Sequence, residues 1–387
     1  MKYLRNPLDL LPVLTLCLIF LNSMVTAEDG ESPFSLSALT LSQDGDANEV
    51  TVDQNEKFGV IHRLKNVWNK PRSVGEFSGW ASLGYHDGDN GLFNAHPGGV
   101  NLHQLWLALE RDLVSGEEKQ RLGYRVDIVY GADAEDVQSF GNQAGRWDHQ
   151  NGFSEGKNGW AIPQAYLYGK HGKFDYKLGH FLSPAGYESA LAPNNFFYSH
   201  SQTMKSSQPR THTGVLTSFQ RNSATIYLGW TLGWDTGFDQ LDQGGNGLIG
   251  FSKKLTDDTA LTYMNTVGNL GWRGHGYSHS IVLDLGLTEN LNYVFQSDFV
   301  STSSQIDAGD DIGITNYLFY TVSECWQVGT RIEWWRDNQI TKNSITVGLN
   351  WRSKNGLWLI RPEVRSDWVP ELQSKQTVFA VDAIVQF

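Results

Sequence analysis

The stretch "LGYRVDIVYG" (Leu122–Gly131) alternates without a break. Leu122, Tyr124, Val126, Ile128 and Tyr130 share one parity, while Arg125 and Asp127, with Arg121 just before them, share the other. Successive side chains of a strand point to opposite faces, so the segment carries one apolar face and one charged face. The same period returns further on. "KFDYKLGH" sets Phe174, Tyr176 and Leu178 against Lys173, Asp175 and Lys177. "CWQVGTRIEWWR" sets Trp326, Val328, Ile332 and Trp334 against Gln327, Arg331, Glu333 and Trp335. A Lys or Arg on a lipid-facing position costs about 2–4 kcal/mol near the bilayer midplane. That penalty explains why the charges collect on one parity, and it makes that parity the interior of a barrel.

Sixteen such segments follow one another: 76–86, 102–112, 121–130, 161–169, 173–181, 212–219, 224–234, 247–255, 258–267, 276–287, 291–300, 312–321, 325–335, 343–352, 356–365 and 376–387. Most have the roughly 9–11 residues that a tilted strand needs to cross a membrane. The connections alternate short and long. "KHGK", "QRNS", "LTDD", "TEN", "VSE", "SKNG" and "VSGEEKQ" are short, whereas 87–101, 131–160, 182–211, 235–246, 268–275 and 301–311 are long. Outer-membrane barrels have short periplasmic turns and longer outer loops. The expected fold is therefore an all-β, transmembrane, antiparallel up-and-down barrel over 76–387 of about sixteen strands, with fourteen and eighteen as the adjacent even counts. Asn316 falls on the supposed lipid face, which predicts a bulge or a shifted register at that point. A pair of soluble β-sandwiches is the competing architecture, but it rarely sustains one pattern over such a length.

Composition agrees with the barrel. The 387 residues include 40 Gly and 14 Trp but only 11 Pro, and the mean hydropathy is negative. Residues 1–27 read as an export signal, with Lys2 and Arg5 before an apolar run and Val25-Thr26-Ala27 as the small residues of a cleavage site. Its removal takes Cys17 and leaves Cys325 without a disulfide partner. It also takes Lys2, Arg5 and Asp9, so 30 basic and 42 acidic residues become 28 and 41, a net −13 that argues against nucleic acid as a partner. Residues 28–57 form an acidic leader, expected to be flexible, whose "DGDANEVTVDQN" lacks the turn glycine and the closing carboxylate of a calcium loop. Phe58, Ile61, Leu64 and Trp68 then recur at helical spacing, predicting a short amphipathic helix within 58–75.

The third long connection, "SPAGYESALAPNNFFYSHSQTMKSSQPRTHTG" (Ser183–Gly214), has neither helical nor strand period and is rich in aromatics. Pro184, Gly186, Pro193 and Pro209 restrict its path, Phe196, Phe197 and Tyr198 could pack against the wall, and Glu188, Asn194, Asn195 and Arg210 could face solute. General porins resemble this arrangement, and in them the third outer loop folds into the barrel and narrows the channel. The alternative is a loop lying over the rim.

"QLWLALERD", "RVDIVYGADAEDVQSFGN", "KLGHFLSPAGYES", "APNNFFYSHSQTM" and "THTG" together resemble the OmpL-like β-barrel porin family. The resemblance runs from about residue 74 to the C-terminus and is densest over 101–214. It implies a Gram-negative outer-membrane pore protein, with no particular solute and no catalytic residues. Porins of this size suggest a homotrimer by the same resemblance. The last strand, "TVFAVDAIVQF", ends at Phe387 and resembles the signal by which the barrel-assembly machinery recognises its clients.

The expected function is passive diffusion of small hydrophilic solutes through a water-filled channel in outer-membrane lipid. A substrate-specific porin for sugars or anions and a non-conducting structural or adhesive barrel are the other readings. The pore-lining and constriction candidates are Arg121, Arg125, Asp127, Lys173, Asp175, Lys177, Glu188, Asn194, Asn195, Arg210, Arg331, Glu333, Arg361, Glu363 and Arg365. Their mixture of signs predicts a transverse field across the channel, with weak anion preference as the alternative. Trp80, Trp106 and Trp335 also point inward by parity, either as a sugar-stacking track or as braces. No cofactor, metal or catalytic group is expected. His200 is followed by Ser201, but adjacency in sequence does not bring side chains together. His275 and His279, four apart on a strand, stand about 13 Å apart and cannot share an ion.

Overall fold

A computed structural model of the chain describes residues 75–88, 93, 95–111, 122–303 and 309–387. The expected signal (1–27), the leader (28–57) and all but Gly75 of the helix segment (58–75), together with Arg121 and the "VSGEEKQ" turn, lie outside the described residues.

Sixteen antiparallel strands make the wall: β1 (Glu76–His86), β2 (Val100–Arg111), β3 (Leu122–Gly131), β5 (Asn158–His171), β6 (Phe174–Leu182), β7 (Thr211–Arg221), β8 (Ala224–Trp234), β9 (Asn246–Thr256), β10 (Thr259–Asn269), β11 (His275–Thr288), β12 (Leu291–Thr302), β13 (Asp310–Ser323), β14 (Trp326–Arg336), β15 (Thr341–Arg352), β16 (Trp358–Val369) and β17 (Ser374–Gln386). A two-residue strand, β4 (Ser154–Glu155), pairs with β5 inside the second outer loop. Each wall strand pairs with its sequence neighbours, and β1 pairs with β17 to close the ring. Closure leaves no edge with unpaired backbone groups, which a lipid environment would not satisfy. Phe387 extends it, exchanging backbone hydrogen bonds of 2.8 and 2.9 Å with Gly79.

All sixteen segments expected from alternation are strands. Only their ends move, by up to four residues, because ladder pairing continues past the apolar band into the loops. The outer face is apolar, with Leu83, Leu228, Ile249, Val347 and Phe379 exposed. Trp326 and Trp358 stand exposed at the first residues of β14 and β16, while Trp230 and Trp368 lie toward the opposite rim. Such aromatic positions mark the two membrane interfaces.

Asn316 does face outward, yet the β12–β13 register shows no shift there. The expected bulge is corrected. The Tyr293 hydroxyl donates a 2.6 Å hydrogen bond to Asn316 Oδ1 on the neighbouring strand, so the amide is satisfied without displacing the ladder.

The buried core lies inside the barrel. The third outer loop, 183–210, contains no exposed residue and occupies the interior. Leu191 and Ala192 cluster with Trp80, Trp106 and Ile384, while Phe196 and Phe197 cluster with Val294, Tyr317 and Phe319. These are inward positions of β1, β2, β12, β13 and β17. The loop serves as hydrophobic core to a wall whose other face is adapted to lipid.

Candidate functional site

The interior loop leaves β6 at Leu182 and returns to the wall at Thr211. Gly186 adopts φ +88°, a left-handed angle that side-chain-bearing residues avoid, and a Cβ there would collide with the Gln208 side chain. One short helix, α1 (Gln202–Ser207), follows Ser201, whose hydroxyl accepts from the Met204 N–H at 3.0 Å.

Wall charges hold this loop by its backbone. Glu333 on β14 accepts the first N–H groups of α1, from Gln202 at 2.9 Å and Thr203 at 2.7 Å, and also the Thr203 hydroxyl at 2.7 Å. A carboxylate there meets both the unpaired donors and the positive end of the helix. Glu363 on β16 accepts the N–H groups of Tyr198 and Ser199 at 2.8 and 3.1 Å. Arg361 donates to the carbonyls of Ala192, Asn195 and Phe197 at 2.9, 2.8 and 3.0 Å. It also forms a 2.6 Å ion pair with Asp382. Arg331 reaches the Glu188 carboxylate at 2.6 Å and the Ser199 carbonyl at 2.7 Å, and Arg365 donates to the carbonyl of His200. An irregular segment buried in a barrel has no ladder to satisfy its amides, so the wall supplies the partners.

Glycines make room for it. A Cβ on Gly313 would meet Thr203 Oγ1 at 2.5 Å, and one on Gly329 would meet Phe196 Cε1 at 2.6 Å. Both fall on the inward parity of strands β13 and β14, where any side chain would fill the loop's seat.

On β2 a bulge opposite Ser82–Leu83 turns both His103 and Gln104 inward. His103 Nδ1 lies 2.9 Å from Asp133 Oδ1, and its Nε2 is hydrogen-bonded to the Tyr198 hydroxyl. Gln104 donates to Asp133 at 3.1 Å and to the Ala190 carbonyl at 3.0 Å. The second outer loop, the wall and the interior loop meet here. The alternation of β2 slips by one residue here, and the signal was the pair of consecutive polar residues, His103 and Gln104, between outward Leu102 and Leu105. Gly313 and Gly329 carried another, as glycines at inward positions.

The sequence candidates divide into groups. Arg331, Glu333, Arg361, Glu363 and Arg365 converge with Glu188 and Asn195 in the interior network. All five wall groups are buried beneath the loop, so they bind protein where solute contact was expected. Glu188 is spent on Arg331 and Ser201, and the Asn195 amide bonds Ser189 and Leu191 within the loop. Asn194 lies half-buried in a single 3-10 turn (Ala192–Asn194). Arg125 forms a forked pair with Asp127 at 2.8 and 3.0 Å on β3, away from the loop network. Lys177 is buried over the Tyr166 ring at 4.6 Å, and Asp175 is half-buried beside it on β6. Lys173 is corrected: it is exposed in the turn between β5 and β6, because the strand begins one residue later. Trp80 and Trp106 stack at 5.0 Å within the core, and Trp335 donates to Ser207 at 2.9 Å, so all three brace the loop.

On its other side, toward β8 and β10, the loop borders a cavity of about 40 Å³. This seam is lined by Tyr187, Glu188, Gln208 and Arg210 of the loop and by Tyr227, Thr262 and Met264 of the wall. Above it, the second outer loop, the interior loop and Trp272 enclose a vestibule of about 400 Å³.

A closed barrel with a lipid-adapted exterior and an inward-folded third loop has the architecture of an outer-membrane porin. Residues 76–387 match the family described as "Putative beta-barrel porin-2, OmpL-like", and the chain belongs to that family. No curated relative matches the chain. Among solved structures, it is similar to the trimer form of in-vitro folded OmpT of Vibrio cholerae, at TM-score 0.53 and 8% identity, covering 81% of this chain and 98% of that one. A mutant of the Rh. blastica porin aligns at TM-score 0.51 and 11% identity, covering 81% and 99% of the two chains. These likenesses concern the fold. Family and fold together make this protein an outer-membrane porin channel.

Proposed function

We propose that the protein passes small hydrophilic solutes by passive diffusion, and that its constriction is the seam between the third loop and the wall at β8 and β10. The observation that carries this reading is the asymmetry of the loop's anchoring. Its backbone is bonded to β2, β14 and β16, and its Gln208 side chain to Asp298 on β12 at 2.9 Å, whereas toward Tyr227, Thr262 and Met264 it packs through Ala185 and leaves a cavity of about 40 Å³. A passage opens where the contact is weakest. The channel performs no chemistry of its own. Residues 1–27 direct export and are removed, and Phe387 ends the strand read by the assembly machinery. The trimer form in which the OmpT fold was solved favours a homotrimer for this chain as well.

Planar-bilayer recording of the purified, heat-modifiable protein tests the reading. Steady conductance steps are expected, together with a smaller step when Thr262 is replaced by Trp. A folded sample without channel events refutes diffusion. Unchanged conductance in Thr262→Trp moves the constriction elsewhere.

A further inference from the structure

The outer vestibule contains an incompletely satisfied cation. Arg210 is 6% exposed and lines both the seam and the vestibule. Its Nη2 donates to the Lys205 carbonyl at 3.1 Å, and the guanidinium lies over the Phe140 ring at 5.0 Å. Its Nε and Nη1 atoms are buried and have no hydrogen-bond partner. Asp136 and Asp235 attract it through space without bonding these two nitrogens. A guanidinium cannot shed its charge, and a buried donor without an acceptor is costly. These two donors lie on different edges of the guanidinium, so each can donate singly to an oxygen of a carboxylate or a phosphate. Lys205 lines the same cavity and adds a second positive charge against the carboxylates of Glu135 and Asp136, while Trp272 and Phe140 supply aromatic walls. At about 400 Å³ the vestibule falls in the size range of small-molecule sites.

We infer that the vestibule is a binding site for small organic solutes bearing a carboxylate or phosphate group, held by Arg210 directly above the seam. The site deepens the diffusion reading and rests on it for its purpose, but binding itself needs no conduction. Solutes of this class would gather at the narrowest point and enter it preferentially.

The test uses the folded full-length protein in detergent, titrated calorimetrically with succinate and separately with inorganic phosphate, alongside single-channel recording with the same probes. Saturable binding of at least one probe is expected, with brief current blocks when it is added on the side of the outer loops. Arg210→Gln should weaken binding about tenfold or more, since it removes a charged hydrogen-bond donor. Arg210→Lys, which keeps the charge and loses the fixed planar donors, should fall between the two, and Lys205→Gln should weaken binding less than Arg210→Gln. Preference for succinate or for phosphate assigns the carboxylate or the phosphate arm. Binding of neither probe, or equal binding by wild type and a heat-modifiable Arg210→Gln barrel, overturns the site. Binding without any channel events would leave the site standing and defeat the diffusion reading instead.

Discussion

Arg331 on β14 and Glu188 on the interior loop form a 2.6 Å ion pair across 143 residues of sequence, with their side chains 0% and 5% exposed. Breaking a buried pair strands the remaining charge and costs about 3–5 kcal/mol. Glu188→Gln should lower the temperature at which the folded band of a semi-native gel converts to the unfolded one. Arg331→Met should do the same and open loop 3 to added protease. The double variant should lose less than the sum of the singles. Full additivity would mean that the pair does not couple loop to wall.

The glycine seats predict a steric effect. Gly329→Val must displace Phe196, whose ring would stand 2.6 Å from the new Cβ, and the displaced loop should give noisier and altered single-channel current. Gly247→Ala is the control, because its nearest neighbour is Val267 Cγ1 at an ordinary 3.6 Å. Identical current traces from the two variants would contradict the seat.

The seam predicts a size dependence. Met264→Ala should widen the passage and raise conductance, whereas Met264→Trp should lower it. The same changes at Val294, packed against the welded side of the loop, should affect thermal stability more than conductance.

Acid should shift selectivity. Burial, reinforced by Asp133, pushes Asp136 up to about 6, and burial pushes Asp235 up to about 6 as well. His149 in the vestibule is pushed down by burial. As pH falls through 6 the two carboxyls become neutral and the vestibule gains net positive character. Reversal potentials in a salt gradient should move toward anion preference between pH 7 and 5, and Asp136→Asn should shrink the movement. The stability sign follows from the same shifts. Each folded carboxyl binds a proton at a higher pH than its unfolded counterpart, so outer-loop stability rises as pH falls from 6 toward 4.

On the lipid face, Tyr293→Phe removes the donor to Asn316 and should cost about 0.6–1.7 kcal/mol, the range of such bonds in membranes. Asn316→Leu needs no donor, so adding Tyr293→Phe to it should cost little. Thermal conversion of the four proteins on semi-native gels checks this cycle.

Much of the fold was legible because lipid imposes one rule on every wall strand. Arg331, Glu333, Arg361 and Glu363 sit on the parity opposite Ile332 and Val364, and that alone fixed which way they point. The length alternation of the connections fixed the order of loops, and so identified 182–211 as the third outer one. The site was less legible. Parity says that Glu363 points inward, but not that loop backbone waits there at 2.8 Å instead of water.

By itself the sequence determined the strands, their inward and outward faces and the position of the long loop, because period two and the lipid penalty are local properties of each segment, while its motifs carried the resemblance to a porin family. The tertiary structure alone decided that the loop fills the barrel, that the wall charges bind its amides and carbonyls, and that the bulge at His103 joins three segments. The contacts of the wall charges link residues more than a hundred positions apart, those of His103 reach 30 and 95 positions, and all depend on where closure of the ring places the strands around the loop.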